Sequence, residues 1–219
     1  EGDAQARLEL TYRLGVVCQD HLDAADEAVE SLRFVISMSP THEDSRRRME
    51  LFLGTDSHKV AAAGVLLPAY EAAGAWESMV HCLQIQADAS ADETARVNLL
   101  LRVGAIQAQA MGDTAGAMTV YANAFKADPR NESAREALEN LVSIEGAWEM
   151  FAELLEEATV KDLPVELLTE LLSKLAIAYD TRLSQADKAI AAWQRASEVD
   201  ASNIAALDAL DALYQRAER

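Results

Sequence analysis

Gly74-Ala75-Trp76-Glu77 and Gly146-Ala147-Trp148-Glu149 are the same four residues 72 positions apart, and this recurrence decides how the chain is organised. The shift that superposes them also lays Ala117 on Ala189, Tyr121 on Trp193, Ala124 on Ala196, Asp128 on Asp200 and Asn131 on Asn203. Leu138 and Leu141 fall in the same way on Leu210 and Leu213. Chance does not align so many positions in one register, so the chain is built from repeats. A second shift, of 89, places Ala28, Leu32 and Pro40 on Ala117, Tyr121 and Pro129. The two shifts differ by 17 residues, about the length of one helix, and the extra helix is expected at 42–53.

Outward from these anchors the chain reads as all-α. It has 9 Gly and 4 Pro in 219 residues, no stretch of alternating β-branched residues, and abundant Ala, Leu, Glu and Arg, which favour helices. Apolar residues fall three and four apart, as in Leu100, Val103 and Ile106 or Leu168, Leu171, Leu172, Leu175 and Tyr179, the spacing of amphipathic helices. Breaks at Ser39-Pro40-Thr41, Gly54, Gly74, Gly112-Asp113, Asp128-Pro129, Gly146, Pro164 and Asp200-Ala201-Ser202 divide the chain into about twelve helices. They are expected at 4–20, 24–38, 42–53, 57–73, 75–88, 91–111, 114–127, 131–145, 147–159, 164–180, 184–198 and 203–217. Loops this short make antiparallel neighbours. Pro68, inside the helix at 57–73, is expected to kink or break it by clashing with the Gly64 carbonyl.

Half of the repeat distance is about 36 residues, a helix hairpin, and the residues at its recurring places resemble the tetratricopeptide repeat family. Its second helix carries a small residue, a large aromatic and a small residue, as do Ala117, Tyr121, Ala124 and Ala189, Trp193, Ala196. The family's exit turn is intact at Asp128-Pro129-Arg130-Asn131 and looser at Asp200-Ala201-Ser202-Asn203. The resemblance covers nearly the whole chain and implies a single right-handed superhelical solenoid of antiparallel hairpins. The hairpins are expected near 4–38, 57–88, 91–127, 131–159 and 164–198, followed by a lone terminal helix at 203–217. Ala105 and Ala108 depart from the pattern, and 42–73 does not keep the hairpin rhythm. Leu207, Leu210, Leu213 and Tyr214 lie on a face of the last helix that wants a partner. Solenoids need polar capping repeats, so the segment is expected to belong to a longer protein.

Composition narrows the function. The chain has 19 basic and 37 acidic residues, a formal net charge of −18, which repels phosphate backbones and anionic lipid, so neither nucleic acid nor membrane is expected as a partner. The longest apolar run, Val60 to Tyr70, contains Gly64 and Pro68 and is far short of the roughly 20 residues of a membrane span. The first residues carry no secretory signal, which leaves the compartment open, with the cytoplasm slightly favoured.

Cys18 and Cys82 lie among apolar neighbours and are expected to be buried, inert thiols. His21, His42, His58 and His81 share no metal-ligand spacing, and no nucleophile elbow or phosphate loop is present. No catalytic residue, metal or cofactor is therefore expected, and the chain reads as a non-enzymatic scaffold. Trp76, Trp148 and Trp193 stand at repeat positions and are expected in the core. Arg46-Arg47-Arg48 point in different directions on a helix and are expected to be salt-bridged to Glu43, Asp44 and Glu50.

The resemblance implies that a partner protein or peptide lies along the concave face made by the first helices. By register that face carries Glu9, Tyr12, Val16 and Gln19; Leu99, Arg102, Ile106 and Gln109; Ser133, Glu136, Asn140 and Ser143; and Glu170, Ser173, Ile177 and Asp180. Such acidic, amide and apolar residues favour a basic or amphipathic segment. Arg102 is the one basic residue of the set, so the carboxylate clamp by which some family members hold a peptide's C-terminus is not expected. The alternative reading is a structural spacer or self-association module in a longer repeat protein, its exposed end helices stacking head to tail.

Overall fold

A computed structural model describes residues 2–217, and among these it is all-α. The chain divides into two compact units, Glu1–Ala117 and Met118–Arg219. The first contains α1 (Gly2–Asp20), α2 (Ala25–Met38), α3 (Glu43–Leu51) with a 3-10 turn at Phe52–Gly54, α4 (Lys59–Ala73), α5 (Trp76–Ala89) and α6 (Glu93–Ile106). A π-turn, Gln107–Met111, extends α6, and α7 (Thr114–Ala127) begins in the first unit and ends in the second. The second unit continues with α8 (Glu132–Glu145), α9 (Trp148–Ala158), α10 (Val165–Ile177) with its own π-turn at Ala178–Arg182, α11 (Ala186–Val199) and α12 (Ile204–Ala217). Twelve α-helices thus stand where twelve are expected.

Two kinds of turn set the rhythm. Chains leaving a first helix pass through one left-handed residue: Asp23 (φ 49°), Gly74 (63°), Gly112 (69°), Gly146 (73°) or Ser184 (55°). At Asp23, Gly112 and Ser184 the next amide closes the same wide ring, Ala24 N–H to the Cys18 carbonyl at 3.0 Å, Asp113 to Gln107 at 2.8 Å and Gln185 to Tyr179 at 2.8 Å. This ring is one residue wider than the Schellman closure, which Ala75 N–H makes to the Tyr70 carbonyl at 2.9 Å after Gly74; both satisfy helix-end carbonyls. Several entries are capped by a side chain instead, although His58 at α4 and Pro164 at α10 supply no such cap. Asn131 Oδ1 accepts from Ala134 N–H at 3.0 Å and Asn203 Oδ1 from Ala206 N–H at 3.1 Å. His42 does the same work at α3, its Nδ1 accepting from Ser45 N–H at 3.2 Å, so a ring nitrogen stands in for the amide oxygen.

Inside each unit the repeat positions are the buried ones. Ala117, Ala189, Ala124 and Ala196 are fully buried, and so are Ala134 and Ala206. The small residues let helices approach, and the buried Tyr121 and Trp193 fill the space beside them. Helices pack on sequence neighbours: α1 on α2, α4 on α5, α5 on α6, α9 on α10, α10 on α11 and α11 on α12. Each hairpin gains stability from burial that it shares with the next.

The region 42–73 departs from this rhythm in a definite way. α3 begins like α8 and α12: His42, Ser45, Met49 and Phe52 fall 89 residues before Asn131, Ala134, Leu138 and Leu141, and Ser45, Met49 and Phe52 are buried as their counterparts are. At the same shift, Ala62, Ala63, Leu66, Ala69 and Tyr70 match the buried Phe151, Ala152, Leu155, Ala158 and Thr159 of α9. At the shift of 72, however, α4 matches α8, down to the left-handed Gly74 and Gly146. Towards α2, on which it packs, α4 stands where α9 stands; towards α5 it stands where α8 does. One helix serves both phases of the repeat.

Pro68 neither breaks nor interrupts α4, which runs from Lys59 to Ala73 as one helix. The Pro lacks a donor for the Gly64 carbonyl, but Gly64 and Pro68 are both exposed, where water can supply it, and the opposite face is held by burial of Ala62, Ala63, Leu66 and Ala69.

Candidate polar pocket on the first-helix face

On α8 the sequence Ser133, Glu136, Asn140, Ser143 advances by three and four residues, which keeps all four on one stripe, and all four are exposed. The stripe ends at Gly146, after which α9 opens with Trp148. The Trp148 ring meets Phe151 edge-on at 6.2 Å and 75°. Its face carries the Arg182 guanidinium, 4.8 Å from the ring centroid. Arg182 reaches this place because the π-turn at Ala178–Arg182 widens the end of α10. Together Glu136, Glu139, Asn140, Ser143, Trp148 and Arg182 enclose an open pocket of about 530 Å³. It offers carboxylate acceptors, an amide that both donates and accepts, a hydroxyl and a guanidinium against an aromatic plane. Such groups recognise polar main chain and charged side chains; they do not make a nucleophile with its base.

Three of the residues expected on this face, Glu136, Asn140 and Ser143, therefore share one pocket. Those on α10 are spent largely on the fold. Glu170 lies 3.6 Å from Lys174 and 3.8 Å from Arg135, and Lys174 also grips Glu139, tying α10 to α8. Asp180 pairs with Arg216 of α12 at 2.9 Å, and the Ser173 hydroxyl donates to the Thr169 carbonyl. Ile177 is about half exposed. Glu136 has no ion-pair partner among the described residues.

In the first unit, Glu9 pairs with Arg13 at 2.6 Å. Tyr12 packs its ring 4.9 Å from that of His42, and Gln19 accepts from Arg48, which also holds both oxygens of Asp20 at 2.9 Å. That hydrogen bond from Arg48 lowers the Asp20 carboxyl below its usual range and raises the guanidinium. Val16 is half-buried; on α6, Leu99 and Ile106 are half-buried, whereas Arg102 and Gln109 are exposed. None of the sixteen positions is buried.

Several expectations need correction. Trp76 is 37% exposed and Trp148 is half-buried, while Trp193 is in the core. Trp76 and Trp148 open their helices, so they sit at the mouth of a hairpin and not between helices. Leu210 and Leu213 are buried against the preceding helix; Ile204, Leu207 and Tyr214 form the exposed side of α12. Arg47 does pair with Glu43 at 2.6 Å, but Arg48 turns to Asp20, and Glu50 accepts from the Tyr70 hydroxyl at 2.8 Å. Burial, then that carboxylate, pushes the Tyr70 hydroxyl well above its ordinary range. Cys18 and Cys82 are free and buried. Burial pushes the Cys82 thiol up to about 11, which keeps it protonated and unreactive at neutral pH.

Sequence reasoning did not find Glu139, Trp148 or Arg182. Trp148 was hidden by its place in the repeat, and Arg182 by the π-turn, whose added residue has no signature in the apolar spacing. Among the described residues no group of three or more His, Cys, Asp or Glu side chains could hold a metal ion. No described helix is long and apolar enough to cross a membrane.

These hairpins, their capped entries and their small-large-small buried triplets define a tetratricopeptide-like helical-repeat architecture. No protein-family model and no curated protein matches the chain. Among solved structures it is similar to the thermophilic TPR protein TTC0263 of Thermus thermophilus, at 14% identity over 95% of this chain and 99% of that one, with a TM-score of 0.38. It is also similar to a chain of the APC/C hetero-tetramer Cut9-Hcn1, at 12% identity over 96% of this chain and 40% of that one, with a TM-score of 0.38. A tetratricopeptide repeat protein from Parabacteroides merdae ATCC 43184 is similar at 12% identity over 95% and 99%, with a TM-score of 0.33. Superpositions at this level carry no argument beyond the chain's own packing.

Proposed function

We propose that the chain is a non-enzymatic interaction scaffold that recruits a partner protein or peptide along the face of its first helices, and that the segment it takes there is amphipathic and basic. The observation that carries this reading is the pocket around Asn140. Glu136 faces it without a cation of its own among the described residues, and the Asn140 side chain makes no hydrogen bond among them. Arg182 lies over the Trp148 ring, and the Glu136 carboxylate is the acceptor in the pocket left for a donor of the partner. A Lys or Arg of a bound segment would answer Glu136, while the Asn140 amide would take the segment's main chain at both its N–H and its carbonyl.

The test is an array of peptides of about 15 residues, basic amphipathic, acidic amphipathic and scrambled, probed with the intact chain. Basic amphipathic peptides are expected to bind, and Glu136→Lys with Asn140→Ala to weaken them by about tenfold while the thermal melt is unchanged. Equal binding of all three peptide classes, or binding indifferent to the double substitution, would overturn the reading.

A further inference from the structure

The first unit has a cleft at positions across which the second unit carries an ion pair. Between α2 and α4 lies an open cavity of about 500 Å³ lined by Ile36 and Pro40 from the α2 side and by Val60, Gly64, Val65 and Pro68 from α4. Its lining is apolar but for Ser37 and the charged Arg33. Val60 is 41% exposed, and Ser37, Gly64 and Pro68 are exposed as well. Arg33 is paired with Glu30 of its own helix, 3.5 Å away with both side chains largely in solvent, an arrangement that holds a guanidinium weakly.

The shift of 89 shows what ordinarily fills this place. Ile36 corresponds to Phe125, Ser37 to Lys126, Val60 to Glu149, Gly64 to Glu153 and Pro68 to Glu157. Ile36 and Phe125 are both buried; the difference lies outside them, where Lys126 bridges to Glu157 at 3.0 Å, across the very positions held by Ser37 and Pro68 in the first unit. Lys161 adds a hydrogen bond to the Lys126 carbonyl at 2.6 Å. In the first unit a Ser, a Gly and a Pro stand where the second has Lys126, Glu153 and Glu157. The charge is also reversed: Arg33 stands where the second unit has Ala122, and the three glutamates have no counterpart.

We propose that the α2–α4 cleft is a docking site for an amphipathic helix of a partner protein, which sets two bulky apolar side chains into the groove and an acidic side chain against Arg33. The chemistry selects this occupant. An apolar groove between two helices takes helix anchors spaced three or four residues apart, and a guanidinium at its edge that only Glu30 holds, weakly and in solvent, selects for a local anion in a chain of net charge −18. The site lies in a different unit from the Asn140 pocket and prefers the opposite charge, so the two sites stand or fall separately.

The probe is a phage-displayed library of 16-residue helical peptides selected on the intact chain, with affinities read by fluorescence anisotropy. Enriched peptides are expected to carry an acidic residue three or four positions from two bulky apolar ones. Ser37→Lys with Pro68→Glu, which installs the second unit's ion pair, is expected to weaken them at least about tenfold; Gly64→Glu is the independent closing variant. All three positions are exposed, and circular dichroism checks that the helices persist. Arg33→Glu should weaken acidic peptides and strengthen versions in which Lys replaces the acid. The proposal is overturned if no peptide is enriched, if the selected peptides bind the two closed variants as well as the parent, or if they answer to Glu136→Lys with Asn140→Ala instead.

Discussion

Residues 25–73 and 114–162 are two copies of one design: most of the same positions are buried in both, although some differ in size, as Ala62 does from Phe151, and the outer faces differ in charge and cover. Their buried skeletons correspond position by position, Ala28 to Ala117, Leu32 to Tyr121, Met49 to Leu138, Leu66 to Leu155 and Ala69 to Ala158, all buried. On the surface the second copy is crossed by the Lys126–Glu157 pair, whereas the first presents Ser37, Gly64 and Pro68 around an open cleft. In a hairpin stack close packing fixes which positions are buried, with neighbours compensating for size, while the seams between hairpins are free to be closed or left open.

Four kinds of substitution probe this comparison, in falling order of effect. Leu66→Ala and Leu155→Ala each delete a fully buried side chain and should each cost about 2–5 kcal/mol in denaturant unfolding; a large loss in one copy and a negligible one in the other would break the equivalence of the skeletons. Pro68→Glu restores an α4 amide and should stabilise the first unit by up to about 3 kcal/mol, read as slower hydrogen exchange in α4. A loss of protection there would mean that the Pro is needed for packing. His42→Ala and Asn131→Ala remove equivalent caps and should cost about 1 kcal/mol each, with His42→Asn retaining most of the stability. Were His42→Asn as damaging as His42→Ala, the Tyr12 ring contact, and not the cap, would be what His42 supplies. Lys126→Ala cuts a half-exposed ion pair and should cost below about 1 kcal/mol, yet it alone should open the second cleft to apolar probes.

Most of the fold was legible because turn chemistry and apolar spacing are local. Gly74, Gly112 and Gly146 mark their left-handed turns, and Asn131 and Asn203 their caps, in plain sequence. Asp23 and Ser184 take the same left-handed conformation without a Gly to announce it, and the two π-turns leave the three-and-four spacing intact while rotating the residues after them. The extra helix of 42–53 could be placed by counting, but the double role of α4 could not: its apolar run from Val60 to Tyr70 fits either register. The first-helix face was legible as a stripe of positions. Which of them remain free was not, since Glu170 and Asp180 are tied up by Arg135, Lys174 and Arg216, and the partners that come from other helices are set by packing.

Bonds that tie one hairpin to the next in this chain reach across little sequence. Arg48 meets Asp20 over 28 residues, Lys174 meets Glu139 over 35 and Arg216 meets Asp180 over 36. Loops this short close at little entropic cost, and a chain whose contacts are this local folds fast and can start at any hairpin. During synthesis, each hairpin can therefore acquire its partners as soon as the next one leaves the ribosome, with no need to wait for a distant part of the chain. Pulled from its ends, such a molecule should yield in steps of one or two hairpins, and the seam of the open α2–α4 cleft, lacking the ion pair that its copy carries, is where the first step should fall.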